Sequence, residues 1–181
     1  MASNPDNYDE NKRLLHLDQQ ACEMSDLSFQ NYMVIDHRNM KQVSEILAQA
    51  SLIFLAGGNT QLQNHFFATI QLKEALHKTT APILGISAGA MNCGEIVVNS
   101  SQKSKNPDLP LLLKGLGISK YTIIPHFEQK QNNPDELKLI LEASQTTKIY
   151  ALRDGSYIRN DMIYGKCELI YQGKRSLLCD E

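Results

Sequence analysis

The chain has 181 residues, a length that one domain with a substantial hydrophobic core accounts for. Its formal net charge is −2, with 42% apolar and 21% charged residues, as in an ordinary soluble globular protein. This balance argues against nucleic acid as a partner, and no apolar run approaches the ~18 residues of a membrane span. We therefore expect a single domain over residues 1–181 that binds neither nucleic acid nor a membrane.

The cysteines and the N-terminal segment predict a cytoplasmic protein. Cys22, Cys93, Cys167 and Cys179 form no C-x-x-C pair and no metal-like spacing with histidine, so small buried thiols are the simplest interpretation. The segment MASNPDNYDENK is polar and acidic, unlike a signal peptide. Reduced thiols fit the cytoplasm, and no cluster of side chains calls for a metal or an organic cofactor.

Helices and strands alternate through the first half of the predicted structure. Apolar spacing and capping residues indicate helices over residues 7–24, 39–50 and 61–78, and strands over 30–36, 51–56 and 81–86. The runs SLIFLA and APILGI are continuously apolar, as in strands that are buried on both faces. This order predicts a parallel sheet with helices on both faces.

The second half predicts a looser arrangement. Residues 99–117 are polar and punctuated by Pro and Gly, as in a loop, before a strand at 121–125, a helix at 133–144 and a strand at 148–152. Residues 154–174 have the turn signals of short antiparallel strands. We expect a three-layer α/β sandwich with a mainly parallel sheet and antiparallel strands at its C-terminal edge. Because the chain opens on a helix, an N-terminal strand of such a sheet is expected to be missing.

The stretch PILGISAGAMN contains a candidate nucleophile. Gly85 to Gly89 have the G-x-S-x-G form of a sharp strand-to-helix turn, which lifts the hydroxyl of Ser87 out of the sheet. A side chain at either glycine would crowd the helix against the strand. The pattern also arises by chance or as a simple tight connection, so its surroundings have to decide.

Loops that follow three predicted parallel strands bring candidate groups to one edge of the sheet. They carry the turn Gly57-Gly58-Asn59-Thr60, Ser87 and His126. Ligands bind at this edge in open α/β sheets. A serine, a histidine and free N–H groups supply a nucleophile, a base and oxyanion donors. The other four histidines lie on predicted helices or at a strand end, where a structural role is the simpler interpretation.

Four segments together resemble the serine peptidases typified by peptidase E (aspartyl dipeptidase) and cyanophycinase. The segments are LAGGNTQLQNHF, GISAGAMN, GLGISKYTIIPHF and YALRDGSYI, which come in the family's order. The resemblance implies a fold similar to class I glutamine amidotransferases and a hydrolase that cleaves short peptides. It assigns Ser87 as the nucleophile, His126 as the general base, and the N–H groups of Gly58 and Ala88 as oxyanion donors. Gly57 and Asn59 would complete the substrate-binding turn.

The acid of the triad is where the chain departs from this family. The stretch VVNSSQKSK, where peptidase E has its acid, holds no carboxylate. Glu128 has the H-x-E spacing with which class I amidotransferases orient their histidine, although a solvated loop carboxylate explains it equally well. Asn99 or Ser100 could also fix the histidine tautomer. Asp154 precedes a glycine, and we interpret it as a turn residue with a structural role.

Substrate preference is a second departure. The resemblance to aspartyl dipeptidase implies dipeptides with an acidic first residue, held by a basic residue about a dozen positions past the histidine. Leu139 occupies roughly that place, with Lys138 beside it and Lys130 closer to His126. Lysine pairs with a carboxylate less specifically than arginine does, so Asp-X specificity does not follow.

Other function classes remain open. The missing strand and the missing acid also fit a truncated or degenerate amidotransferase-like protein that binds a small molecule without peptidase activity. Amidotransferase chemistry itself is disfavoured because it needs cysteine at the elbow, where this chain has Ser87. An α/β-hydrolase usually needs a longer chain. A homodimer is expected if an unprotected sheet edge invites a partner.

Overall fold

Helices and strands alternate along the chain and form a mixed α/β structure with several small sheets, none of them closed. The computed structural model describes residues 1–2 and 4–180. The helices are α1 (Tyr8–Met24), α2 (Val43–Ala48), α3 (Thr60–Thr69), α4 (Leu72–Leu76), α5 (Ala88–Cys93), α6 (Ser100–Lys103), α7 (Phe127–Lys130) and α8 (Pro134–Ala143). The strands are β1 (Ile53–Leu55), β2 (Ile83–Gly85), β3 (Ile96–Val98), β4 (Leu112–Lys114), β5 (Thr122–Ile124), β6 (Ile149–Leu152), β7 (Tyr157–Arg159), β8 (Met162–Tyr164), β9 (Cys167–Tyr171) and β10 (Lys174–Cys179).

Asparagine side chains cap the helices α1, α3 and α8. At α3, Asn59 Oδ1 accepts hydrogen bonds from the N–H groups of Gln61 and Leu62, at 3.1 and 3.0 Å. Such a cap satisfies N–H groups that lack a partner within the helix. It also fixes the start of α3 directly after the Gly57-Gly58 turn.

The sheets contain parallel pairs, but fewer than the sequence predicts. β1 pairs with β2 and β5 with β6 in parallel, whereas β3–β4, β6–β9, β7–β8 and β9–β10 are antiparallel. The predicted antiparallel strands at the C-terminal edge are confirmed. The prediction of one mainly parallel sheet is wrong, because the described strands form several small sheets in which antiparallel pairs outnumber parallel ones. β2 and β5 do not pair: Ile83, Gly85 and Ile123 line a cavity of about 500 Å³, and the strands remain in separate sheets.

The predicted strand over residues 30–36 is absent, since this segment has no regular secondary structure. The outer edge of β1 is occupied by the chain's first residues. The Met1 ammonium donates to Phe54 O at 2.7 Å, and Ala56 N–H donates to Met1 O. Among the residues that the structure describes, the segment over 30–36 is joined to this edge by one hydrogen bond of Ala2, whose N–H donates to Ile35 O at 3.0 Å. It therefore lacks the ladder of hydrogen bonds that makes a strand.

Two other predicted elements differ in detail. The helix expected over 61–78 is divided into α3 and α4 by Gln71, whose φ of 49° is left-handed. The break lets Phe66 and Leu72 enter the same core around β1. The expected loop over 99–117 contains α6 and β4, because the apolar residues before Lys114 pair with β3. The proline and asparagine residues of this stretch favour a loop, so the pairing of β4 with β3 was not predicted.

Helix α5 lies between two apolar clusters, one around β1 and α2–α4 and one around β5, β6 and α8. Its approach to β1 depends on glycine: a Cβ at Gly89 would lie 1.9 Å from Leu55 O, and one at Gly85 would lie 2.8 Å from Ala90 Cα. The predicted crowding at the two glycines is confirmed. This contact holds the residue before α5, Ser87, at the carboxyl end of β2.

None of the helices in residues 4–180 combines the length and the apolar character that crossing a membrane requires.

Candidate active site

Ser87 occupies a strained turn between β2 and α5. Its φ and ψ are 51° and −110°, a conformation that non-glycine residues rarely adopt. Hydrogen bonds of 2.9 Å from Ile86 N–H to Leu55 O and from Gly89 N–H to Ile86 O hold the turn from both sides. The strand-to-helix elbow expected at this serine is therefore present in the backbone.

His126 lies directly after β5 and contacts Ser87. Its Nε2 is 3.0 Å from Ser87 Oγ, and its own φ of 55° is also left-handed. Ser87 and His126 are 39 positions apart, and the loops after β2 and β5, which belong to different sheets, bring them together. This is the distance at which a histidine can accept the hydroxyl proton.

Asp154 supplies the carboxylate on the other side of the imidazole. Its Oδ1 lies 2.5 Å from His126 Nδ1. A carboxylate accepting the Nδ1–H leaves Nε2 as the acceptor for the serine hydroxyl. Asp154 follows β6, so all three side chains come from loops at the carboxyl ends of strands. That position was the sequence signal for Asp154.

Glu128 does not hold the place that its H-x-E spacing predicts. The imidazole Nδ1 contacts Asp154, while Glu128 Oε1 accepts the backbone N–H of Asp154 at 3.2 Å. Glu128 lies in the first turn of α7, where the helix carries its side chain towards the loop after β6. The interpretation of Asp154 as only a turn residue was incomplete: Gly155 does make the turn, with φ 83°, and the turn presents the carboxylate.

The amide and hydroxyl alternatives for orienting the histidine lie elsewhere. Asn99 Nδ2 donates to Gln61 Oε1 and to Pro110 O, at 3.1 and 3.2 Å. Ser100 Oγ is buried without a hydrogen-bond partner among the described residues. Neither side chain hydrogen-bonds the imidazole of His126.

The Gly57-Gly58 turn borders Ser87. A Cβ at Gly57 would lie 3.4 Å from Ser87 Cβ and 4.0 Å from Ser87 Oγ. Within residues 1–2 and 4–180, the N–H groups of Gly58 and Ala88 have no hydrogen-bond acceptor, so both can donate to a ligand. Asn59 caps α3, and its Nδ2 donates to Gln102 Oε1 at 3.2 Å.

The charged side chains in and near the site differ in how far they are exposed to solvent. The side chains of His126 and Asp154 are 42% and 53% exposed, so this pair is open to solvent. Lys130, in contrast, is 14% exposed and already paired: its Nζ donates to Ser101 Oγ and lies 3.3 Å from Glu136 Oε2. Lys130, the lysine closest to His126 in sequence, therefore has its positive charge balanced by Glu136.

Cys93 has no nucleophilic character in this setting. Burial raises the pKa of its thiol from 9.0 to about 12, and its Sγ donates to Gly89 O at 3.2 Å. A protonated thiol is a poor nucleophile. Over the part of the chain that the structure describes, no three His, Cys, Asp or Glu side chains converge as metal ligands would.

Comparison with known proteins identifies the family. Residues 1–163 match the sequence profile of peptidase family S51. Two curated proteins named Peptidase E, both from Haemophilus influenzae, are similar. The protein from strain PittGG is 28% identical over 154 residues, covering 75% of this chain and 62% of its own length. The protein from strain ATCC 51907 is 30% identical over 157 residues, covering 77% and 67%. The match thus spans about two thirds of the length of these relatives.

A solved structure shares the fold. The crystal structure of a peptidase from an acI-B1 Actinobacterium superposes with a TM-score of 0.74 at 15% identity, over 97% of this chain and 76% of that one. At this identity the superposition shows the common fold alone. The profile match over most of the chain is the stronger finding, and with it the conclusion follows that the chain belongs to peptidase family S51.

Proposed function

We propose that this chain is a serine peptidase that hydrolyses short peptides through an acyl-enzyme. One observation carries the proposal: Ser87 Oγ, His126 and Asp154 form a continuous line of contacts of 3.0 and 2.5 Å. Three loops, each at the carboxyl end of a different strand, converge to make it, and ligands bind beyond the carboxyl ends of strands in α/β folds. The remaining residues of the site fit the same chemistry.

The mechanism assigns a role to each group. His126 Nε2 takes the proton of Ser87 Oγ as the oxygen attacks the peptide carbonyl carbon, and Asp154 stabilises the imidazolium that forms. The N–H groups of Gly58 and Ala88 stabilise the oxyanion. His126 then gives its proton to the leaving amine as the C–N bond breaks. Water attacks the resulting ester with the same base, which releases the acid and restores Ser87.

The substrate class follows from the charges. The resemblance to aspartyl dipeptidase suggests an acidic first residue, and Lys130 is the cation nearest to the catalytic histidine in sequence. An acidic side chain would have to compete for Lys130 with Glu136, which is only 12% exposed and cannot move away easily. We therefore propose that short peptides with neutral and with acidic first residues are both hydrolysed, without a strong preference.

A binding protein without turnover is the second candidate. It is favoured by the exposure of His126 and Asp154, since catalytic electrostatics are strongest where water is excluded. The N–H groups that border Ser87 would serve binding as well as they serve catalysis. In this case the Gly57-Gly58 turn and Ser87 would bind a small carboxylate or amide without cleaving it.

Further parts of the sequence-based hypothesis stay proposals. They are the three-layer arrangement, a cytoplasmic location suited to buried thiols such as Cys22, and a homodimer. The exposed edge strand β10 is where a second copy could pair. Light scattering on the purified protein would give its mass in solution and decide the last of these.

The proposed function is tested with a panel of dipeptides that differ in the charge of the first residue. Wild type is expected to hydrolyse several of them, and Ser87→Ala none. Ser119→Ala is the matched control, because its hydroxyl accepts the N–H of Tyr121 away from the catalytic residues. Turnover that survives Ser87→Ala would refute the assignment. A folded wild type that binds but does not cleave the panel would favour the second candidate.

A further inference from the structure

We propose that Glu128 is a positioning residue that holds the backbone of Asp154, so that the carboxylate of Asp154 meets His126. The inference rests on the proposed function, because it concerns the same site. Glu128 Oε1 accepts the N–H of Asp154 at 3.2 Å, and Asp154 Oδ1 lies 2.5 Å from His126 Nδ1. Helix α7 and the histidine that precedes it thus hold Asp154 at two points, one on the main chain and one on the side chain.

Asp154 needs such support because it lies at the tip of a turn whose flanking residues, and not Asp154 itself, are otherwise held. Its side chain is 53% exposed, and the next residue, Gly155, has φ 83°; apart from its chain neighbours, no described atom lies within 4 Å of the point where a Cβ would lie. The residues on either side of the turn are held in place: Ser156 N–H donates to Arg153 O at 3.1 Å, and Arg153 N–H and Ser156 Oγ both donate to Lys166 O, at 3.1 and 3.0 Å. An exposed carboxylate on an open turn samples many positions unless its backbone is fixed. A displacement of this carboxylate would misorient the imidazole.

The burial of Glu128 argues against a merely solvated carboxylate. Its Oε2 is buried without a hydrogen-bond partner among the described residues, and so is Arg153 Nε, in the residue before Asp154. Buried polar atoms without partners cost stability, and native proteins keep few of them. A carboxylate retained at this cost, with its other oxygen on the backbone of the catalytic loop, fits a role in positioning.

The inference makes different predictions for two substitutions. Glu128→Ala removes the acceptor, whereas Glu128→Gln keeps a carbonyl oxygen that can accept the same N–H. A hydrogen bond to a charged group corresponds to about a 10- to 100-fold effect when it is lost. We expect Glu128→Ala to lower kcat by about that factor with little change in KM, and Glu128→Gln to stay within about threefold of wild type.

A second readout needs no substrate. The proton between His126 Nδ1 and Asp154 should give a low-field NMR resonance in the wild type. We expect Glu128→Ala to weaken or abolish this resonance and Glu128→Gln to keep it. Glu10→Gln is the matched control: Glu10 is a partly exposed carboxylate of α1 that bonds Arg13 and does not contact Asp154, so both readouts should stay unchanged.

The outcomes separate this inference from the proposed function. If wild type has no turnover, the proposed function fails, while the resonance still shows whether Glu128 controls the Asp154–His126 contact. Wild-type kcat and resonance in Glu128→Ala would overturn the inference, and so would equal losses in Glu128→Ala and Glu128→Gln. Should Glu128→Ala not fold, amide hydrogen exchange on wild type decides: slow exchange of the Asp154 N–H supports the inference, and exchange at the rate of a free peptide overturns it.

Discussion

Asp154 Oδ1 lies 2.5 Å from His126 Nδ1, although the two residues are 28 positions apart. The contact joins the loop after β6 to the loop after β5, next to the elbow that carries Ser87. It makes Asp154 the carboxylate that orients the imidazole, a place for which the sequence offered Glu128 as a candidate.

Replacing Asp154 by asparagine tests this contact. Asparagine has nearly the same shape but cannot stabilise an imidazolium, and it favours the wrong histidine tautomer. We expect kcat to fall by roughly 10³- to 10⁴-fold with the fold intact. Asp161→Asn is the control, because Asp161 lies at another exposed turn and pairs with Lys120. Comparable activity of the Asp154 variant and wild type on the best dipeptide would exclude the assigned role.

Gly89→Ala tests the contact that places the elbow. A Cβ there would lie 1.9 Å from Leu55 O, which α5 can avoid only by moving away from β1. We expect a loss of about 3 kcal/mol in the free energy of unfolding, measured with urea. Gly155→Ala, at φ 83° in open space, should cost about 1 kcal/mol. Equal stability of Gly89→Ala and wild type would show that α5 does not pack on β1 in this way.

The pair of Lys130 and Glu136 tests the charge argument about substrates. Glu136→Gln removes the negative charge next to Lys130 Nζ, which lies 3.3 Å away. A freed lysine attracts carboxylates, so kcat/KM for acidic over neutral first residues should rise by about tenfold. Glu142→Gln on the exposed side of α8 controls for the change in net charge. An unchanged ratio would mean that Lys130 does not face the substrate.

The thiol of Cys93 gives a prediction about pH. Its pKa in the folded protein is raised from 9.0 to about 12 by burial, so the folded state holds the proton more tightly than the unfolded chain. The corresponding stability is present below pH 9 and is lost as pH rises from about 9 to about 12. Cys93→Ser keeps a donor for Gly89 O but does not titrate there. Its free energy of unfolding should therefore fall less steeply above pH 9 than that of wild type.

The sequence predicts the fold best where the signals are local. The capping residues and apolar spacing of α1 and α8 and the apolar runs of β1 and β2 predict elements that the structure contains. The strand expected over 30–36 fails because a strand needs a neighbour with free hydrogen-bonding groups. Met1 occupies that edge of β1. Competition between segments that are far apart in the sequence cannot be predicted from the local pattern of residues.

The residues of the candidate site also fall into two groups: those that a local signal predicts and those that only the fold assigns. Ser87 and His126 have motifs or strand ends that single them out, and the structure brings them within 3.0 Å. Glu128 was a candidate acid by its H-x-E spacing, whereas the glycine after Asp154 led to its interpretation as a turn residue. Only the path of the loop after β6, folded back onto α7, decides which carboxylate reaches the imidazole and which one binds the backbone.

The most direct test of the account is reaction with a fluorophosphonate, followed by mass spectrometry of the modified peptide. We expect a single adduct on Ser87 in wild type, a much slower reaction in Asp154→Asn, and no adduct in Ser87→Ala. A folded wild type that is not modified, or that is modified at another serine, would contradict the claim that Ser87, His126 and Asp154 form a working catalytic site.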